Sequence, residues 1–363
     1  MKLDMTPRER ILAAIDRTSV DRIPADYWGT DEVTAALMRH FGVSDASQLW
    51  RKLNIDKIIN VGPQHTGPVL DGGDGSRRDY WGVGYKPQPY GSGAGACDGV
   101  YYEMCHHPIG HLKTIEEIKA AYEWPRADWF DFSGVARECD KYPDYAIEAG
   151  YIAPFYMFNN IRGLEQSLID LAADEELSRY IIDKVCSFLY DYHERLFEAG
   201  RGRIDITQVT DDFGSQTGLL ISIDMFRKYF KPHYKRFIKL ARDFGIKVFH
   251  HDDGAMRPLI PELIELGIDI LNPIQSTCPG MDRSELKREF GGRLCFHGGV
   301  DNQKVLPFGT VDEVRQEVID CLDQLGSDGT GYILAPCHNI QPNTPIENIL
   351  AMYEVAHEYF RGA

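Results

Sequence analysis

Phe249-His250-His251-Asp252-Asp253-Gly254 follows the apolar positions Ile246 and Val248. The apolar residues read as a buried strand, and the two carboxylates and the glycine read as its abrupt stop. Two imidazoles and two carboxylates are thereby presented at one strand end, as metal-ligand or acid/base chemistry requires. A second run of the same kind is Tyr332-Ile333-Leu334-Ala335-Pro336-Cys337-His338-Asn339. If both strands belong to one barrel, their ends share a mouth.

Working outward, eight apolar runs read as strands: 22–28, 55–61, 150–156, 204–209, 246–251, 268–273, 293–298 and 331–336. Helical patterns separate most of them, at 31–40, 164–200, 222–244, 257–266, 311–325 and 345–360. Strands alternating with helices imply parallel pairing with crossovers, and eight units imply a closed (β/α)8 TIM barrel of the α/β class. Thr6-Pro7-Arg8-Glu9 opens the first helix as a capping box with proline at its first position. The segment 66–108 departs from the pattern, being rich in glycine and tyrosine with turns at Asp71-Gly72-Gly73 and Asp74-Gly75. It reads as a β insertion or lid after the second strand, within a single barrel spanning 1–363.

The bulk numbers narrow the function. The chain has 363 residues, 43% hydrophobic and 26% charged, the balance of a soluble globular protein. A formal net charge of −16 repels phosphate backbones, which argues against nucleic acid. It also disfavours a polyanionic small substrate unless arginines gather locally. No apolar run approaches a bilayer span, and Met1 to Arg10 is charged without an apolar signal core, so neither membrane nor export is expected. Eight cysteines with no CxxC pair read as free thiols in a reducing, cytoplasmic setting.

In such barrels the site lies at the C-terminal strand ends. The first strand runs into Asp26 and Trp28, and the third gives Tyr156 and Asn159. The fourth gives Gln208, then Asp211-Asp212. The sixth gives Asn272 and Gln275, the seventh His297, and the eighth Cys337, His338 and Asn339. These groups are expected to line the mouth and contact a small-molecule substrate. His251 and Asp253 form an H-x-D pair that projects to one side if the strand continues that far. Cys337 or His338 supplies a third ligand from the eighth strand, a set suited to catalytic zinc. The competing reading makes one histidine a hydrogen-bonded core residue and Asp253 a cap for a helix near Ala255. Asp211 and Asp212 are candidates for general acid/base work or for holding a positive substrate group.

Two stretches carry a resemblance to a known family. Arg8-Glu9-Arg10 followed by Asp21-Arg22-Ile23-Pro24 resembles the opening pattern of the uroporphyrinogen decarboxylase superfamily. Leu334 to Asn348, with Cys337-His338-Asn339-Ile340, Pro342, Thr344-Pro345 and Glu347-Asn348, resembles its closing motif. The resemblance implies a (β/α)8 barrel and a homodimer. One branch decarboxylates porphyrinogens without a cofactor and carries an arginine-rich stretch after the first strand. Here Asp26-Tyr27-Trp28-Gly29-Thr30-Asp31-Glu32 stands in that place, and no arginine follows until Arg39. For that branch His338, Tyr156 and Asp26 would lie in the cleft, with His338 at the spacing of its closing histidine. The other branch transfers methyl groups to or from a corrinoid carried by a partner protein, using zinc held by H-x-C and a distant cysteine. His251-Asp252-Asp253 is similar to that first motif with Asp253 in place of cysteine, and Cys337 lies one residue from the second. The resemblance thus implies a methyltransferase with metal at His251, Asp253 and Cys337, and His338, Asp211 and Asp212 handling protons or substrate. The readings kept beside it are a decarboxylase and a tetrapyrrole-binding barrel without turnover.

Overall fold

A computed structural model describes residues 5–70, 72, 76–90 and 95–361. Seven parallel strands form one curled sheet in chain order: Ile59–Asn60, Ile147–Ile152, Ile206–Val209, Lys247–His251, Ile270–Asn272, Cys295–His297 and Tyr332–Ile333. The segment 24–26 closes the circle. Asp26 N–H donates to Leu334 O at 2.8 Å, Leu334 N–H donates to Pro24 O at 2.9 Å, and Asp56 N–H donates to Ala25 O at 2.8 Å. The expected eight-stranded barrel is present, with its first strand reduced to the parallel bridge Ala25–Leu334. A helix Ala46–Leu53, absent from the sequence reading, links this segment to the next strand and is capped by Asp45.

Inside the barrel, Ile58, Ala146, Ile206, Phe249, Ile270, Cys295 and Ile333 pack with Ile11, Ala14 and Ile15. The N-terminal helix Pro7–Ile15 therefore seals one end, its start fixed by the Thr6 capping box. The arginines of the opening motif clasp that end. Arg8 pairs with Asp205 at 2.7 Å and Arg10 with Asp21 at 2.6 Å, while Arg10 and Arg22 converge on buried Asp56. A helix plugging the strands' N-terminal ends leaves the opposite mouth for chemistry.

Three expectations need correction. The third strand ends at Ile152, because Pro154 starts a helix, Pro154–Arg162. Proline at the first helical position has no N–H to lose and is preset for the turn. The pattern at 164–200 is two helices, Leu164–Ala173 and Glu175–Gly200, divided at Asp174, whose side chain caps Leu177 N at 3.0 Å. The pattern at 222–244 contains a π-turn, Phe226–Phe230, just before Pro232, whose missing N–H removes one helical bond. Residues Arg77–Arg78, Gly84–Tyr90 and Gly99–His106 form a separate antiparallel sheet. In the two expected turns, Asp71, Gly73, Asp74 and Gly75 lie outside the described residues.

Candidate active site

The Lys247–His251 strand is buried along its last four residues, with His250 and His251 pointing to different surroundings. His250 Nδ1 lies 2.8 Å from Val209 O, and burial pulls its pKa down to about 4. It is a neutral core histidine. His251 faces the mouth. The chain turns sharply beyond it at Gly254, where φ is +93° and an added Cβ would stand 2.3 Å from Ser215 O. Only glycine tolerates both conditions, and the turn returns Asp253 toward His251. His251 Nε2 lies 3.7 Å from Asp253 Oδ2 and 4.0 Å from Asp212 Oδ1.

His338 completes the group. One ligand atom from each of His251, Asp253 and His338 lies within 4.8 Å of the others. Two imidazoles and a carboxylate converging in this way suit a divalent cation with an open position. Asp212 Oδ1 is buried beside them without a hydrogen-bond partner, a further sign that the pocket suits a cation. Burial raises the Asp212 pKa and lowers that of His338, so both are pushed toward their neutral forms.

Cys337 is not in this cluster and its expected role is corrected. Its thiol is buried, lies 3.5 Å from Ile274 O, and is pushed well above the ordinary thiol range by burial. The regular strand ends at Ile333, isolated bridges follow at Leu334 and Pro336, and it is the next imidazole, His338, that joins the cluster. Asp211 is likewise corrected. It is fully buried, accepting Tyr156 N–H at 2.7 Å and Tyr234 O–H at 2.8 Å, and burial raises its pKa well above the carboxylate range. It caps the Pro154–Arg162 helix. Tyr156 and Asn159 ride on that helix rather than a strand end, and Asn159 is turned to Ser167 Oγ at 2.5 Å. The capping reading of Asp253 also fails, since the nearest turn is the 3-10 segment Arg257–Leu259 with Met256 at its cap.

Two hollows meet at His338. The larger, about 420 Å³, has Tyr27, Trp28, Trp50 and Tyr151 as aromatic wall, Lys57, Asn60, Glu148 and Gln208 as polar wall, and His251, His338 and Asn339 beside them. The smaller, about 260 Å³, is lined by Asp253, His338, Cys337, Gln275, Gln216, Asn302, Gln303 and Gln341. Trp28, Gln208 and Asn339 line the larger hollow and Gln275 the smaller. Asp26, Asn272 and His297 are 0% exposed and bond to one another, so they do not face a ligand.

Glu148 was missed. It is 5% exposed, accepts from Gln208 Nε2 at 2.6 Å, and burial raises its pKa to about 7. The available signal was one carboxylate among the apolar residues Ala146, Ile147 and Ala149. Lys57, also missed, lies 3.6 Å from Asp26. For Asp26 burial works upward, but Lys57 and His297 outweigh it and hold the pKa at about 2.

A parallel α/β barrel with a His-Asp-His cluster at one mouth has the architecture of a barrel enzyme with a metal-type site. The chain belongs to the uroporphyrinogen decarboxylase (URO-D) family, whose profile matches residues 135–359. It is 29% identical over 215 residues to uroporphyrinogen decarboxylase of Thermus thermophilus, covering 59% of this chain and 55% of that protein. It is 22% identical over 218 residues to the methylcobamide:CoM methyltransferase MtaA of Methanosarcina barkeri, covering 60% of each. The alignments thus span little more than half the length of these curated relatives. A solved methyltransferase from Methanosarcina mazei superposes with a TM-score of 0.68 at 20% identity, covering 98% of this chain and 100% of that one. That likeness shows a shared fold. Among the described residues no helix is long and apolar enough to cross a membrane.

Proposed function

We propose that this chain is a metal-dependent methyltransferase that moves a methyl group between a small substrate and a corrinoid on a partner protein, or a thiol. The observation that carries this reading is the convergence of His251, Asp253 and His338. Zinc, when bound there, supplies Lewis-acid activation of a thiol or alcohol near neutral pH. His251, Asp253 and His338 would hold it. With an oxygen replacing one sulfur of the related methyltransferase motif, the set is harder and favours an oxygen-bearing substrate such as a methyl ether. Asp212 Oδ1, 4.0 Å from His251 Nε2, is placed to take or return a proton. Trp28 and Tyr151 exclude water on one side, and Glu148 with Gln208 offers hydrogen bonds on the other. Two hollows opening on one cluster suit a transfer, with one side for each reactant. The whole chain then acts as one barrel, with 66–108 inserted in it.

The decarboxylase reading is weaker on charge. Among the described residues neither hollow is lined by an arginine, and Lys57, their one basic lining residue there apart from the imidazoles, already sits beside Asp26. A polycarboxylate substrate lacks the bidentate partners it needs there. The test is to incubate zinc-loaded protein with reduced cobalamin and a series of methyl ethers, and separately with methylcobalamin and thiols. A change in corrinoid absorbance is expected in at least one series. No change in either, together with CO2 release from a porphyrinogen by metal-free protein, would overturn the proposal.

A further inference from the structure

We propose that Asp26, His297 and Asn272 form a proton-ordered relay that fixes the tautomer of His251 and turns its Nε2 lone pair toward Asp253 and His338. The inference rests on the metal reading above for its purpose, though not for its geometry. The contacts are continuous. His297 Nε2 lies 3.1 Å from Asp26 Oδ2. Asn272 Nδ2 lies 2.7 Å from His297 Nδ1 and 3.2 Å from His297 O. Asn272 Oδ1 lies 2.5 Å from His251 Nδ1.

The direction of the protons follows from which atoms can only accept. The Asp26 carboxylate is ionised and accepts from Trp28 Nε1 and Ile58 N, each at 2.9 Å. A carboxylate has no hydrogen to give, so His297 Nε2 donates to it, and in the tautomer with its hydrogen on Nε2 the Nδ1 atom is an acceptor. Asn272 must then point its NH2 at His297. The carbonyl of His297, the longer contact at 3.2 Å, adds to the same preference, because a carbonyl oxygen also only accepts. The Asn272 oxygen is thereby left facing His251 and receives Nδ1–H. The His251 lone pair falls on Nε2, the atom nearest Asp253 and Asp212.

Burial shows why these groups belong together. Asp26, Asn272 and His297 are 0% exposed, and each would be costly in the barrel without partners. Their polar atoms are taken up by one another, by Trp28 Nε1, by His251 Nδ1 and by backbone. The Trp28 ring covers the relay, 5.3 Å from the His297 ring and 5.8 Å from that of His251. They are positioning residues that act through His251. In metal sites, loss of such an outer partner lowers affinity about 10–100-fold.

The experiment compares full-length wild type with Asn272→Leu, Asn272→Asp and the isosteric Asp26→Asn. Two quantities are read: zinc affinity by chelator competition, and the His251 tautomer by nitrogen-15 NMR of the metal-free, histidine-labelled chain. Wild type is expected to carry the proton on Nδ1. Asn272→Leu should lose that preference and bind zinc about 10–100-fold more weakly, whereas Asn272→Asp, which keeps the acceptor oxygen, should retain both. Asp26→Asn removes the accept-only end and should disturb the tautomer even if Asn272→Leu fails to fold. Wild type with the Nδ1–H tautomer but no zinc binding would reject the metal reading and leave the relay standing. Unchanged tautomer and unchanged affinity across Asn272→Leu and Asp26→Asn would overturn the relay.

Discussion

Replacing Glu148 by glutamine removes a buried acid without changing its size, and the structure sets both the sign and the scale of the result. Burial raises the Glu148 pKa from 4.5 to about 7. A carboxyl whose folded pKa is raised binds its proton more tightly in the folded state. Stability therefore falls as pH rises from the unfolded value through the folded one, and levels off above it. At about 1.4 kcal/mol per pKa unit, the ionised Glu148 costs the fold about 3 kcal/mol in alkaline solution. The group is 5% exposed, so solvent screening reduces this little. Glu148→Gln keeps a carbonyl to accept from Gln208 Nε2 and carries no charge. Urea unfolding of both proteins near pH 5 should give nearly equal stability, and near pH 8.5 the variant should be more stable by about 3 kcal/mol. Every other titrating group is common to both proteins and cancels in the comparison. A stability difference that is the same at both pH values would refute the reasoning. A variant less stable in alkaline solution would show that Lys57 stabilises the ionised form more than burial opposes it.

Three further perturbations probe separate parts of the account. Cys337→Ser should leave zinc affinity within about twofold by chelator competition, since the thiol faces Ile274 O rather than the cluster; a loss near that of a true ligand, about 10-fold or more, would restore it to the site. Arg162→Met should lower stability by about 3–5 kcal/mol in denaturant titration, because Asp170, 2.6 Å away and buried, would be left unpaired. Gly254→Ala should destabilise by about 1–3 kcal/mol and weaken zinc binding, since both its φ and the contact with Ser215 O exclude a side chain. Wild-type stability and zinc affinity in that variant would show the turn to be less constrained than its geometry indicates.

The barrel was legible because fully buried parallel strands are written as apolar runs, and seven of the eight fall on ladder-forming segments. What failed was local phase. Pro154, met in sequence as a residue near a strand end, starts a helix and places Tyr156 and Asn159 on it, with Asn159 turned to Ser167. After Ile333 the regular ladder gives way to isolated bridges at Leu334 and Pro336, so strand alternation no longer decides between Cys337 and His338. At His250-His251 the sequence offered two imidazoles of equal chemistry. Only the packing of Val209 O against one and Asn272 against the other separates a core residue from a ligand. Asp26, Asn272 and His297 were found as polar strand ends, but that they spend their hydrogen bonds on one another is a matter of three-dimensional reach. Glu148 lies within a strand, where a search of strand ends does not look.

The most direct measurement is the zinc content of protein purified without a metal-chelating tag, determined by mass spectrometry for wild type and for His251→Ala, Asp253→Ala and His338→Ala. The account predicts about one zinc per wild-type chain, and its loss in each variant while the metal-free fold persists. Metal-free wild type after equilibration with zinc, or stoichiometric zinc that survives all three substitutions, would contradict the central claim.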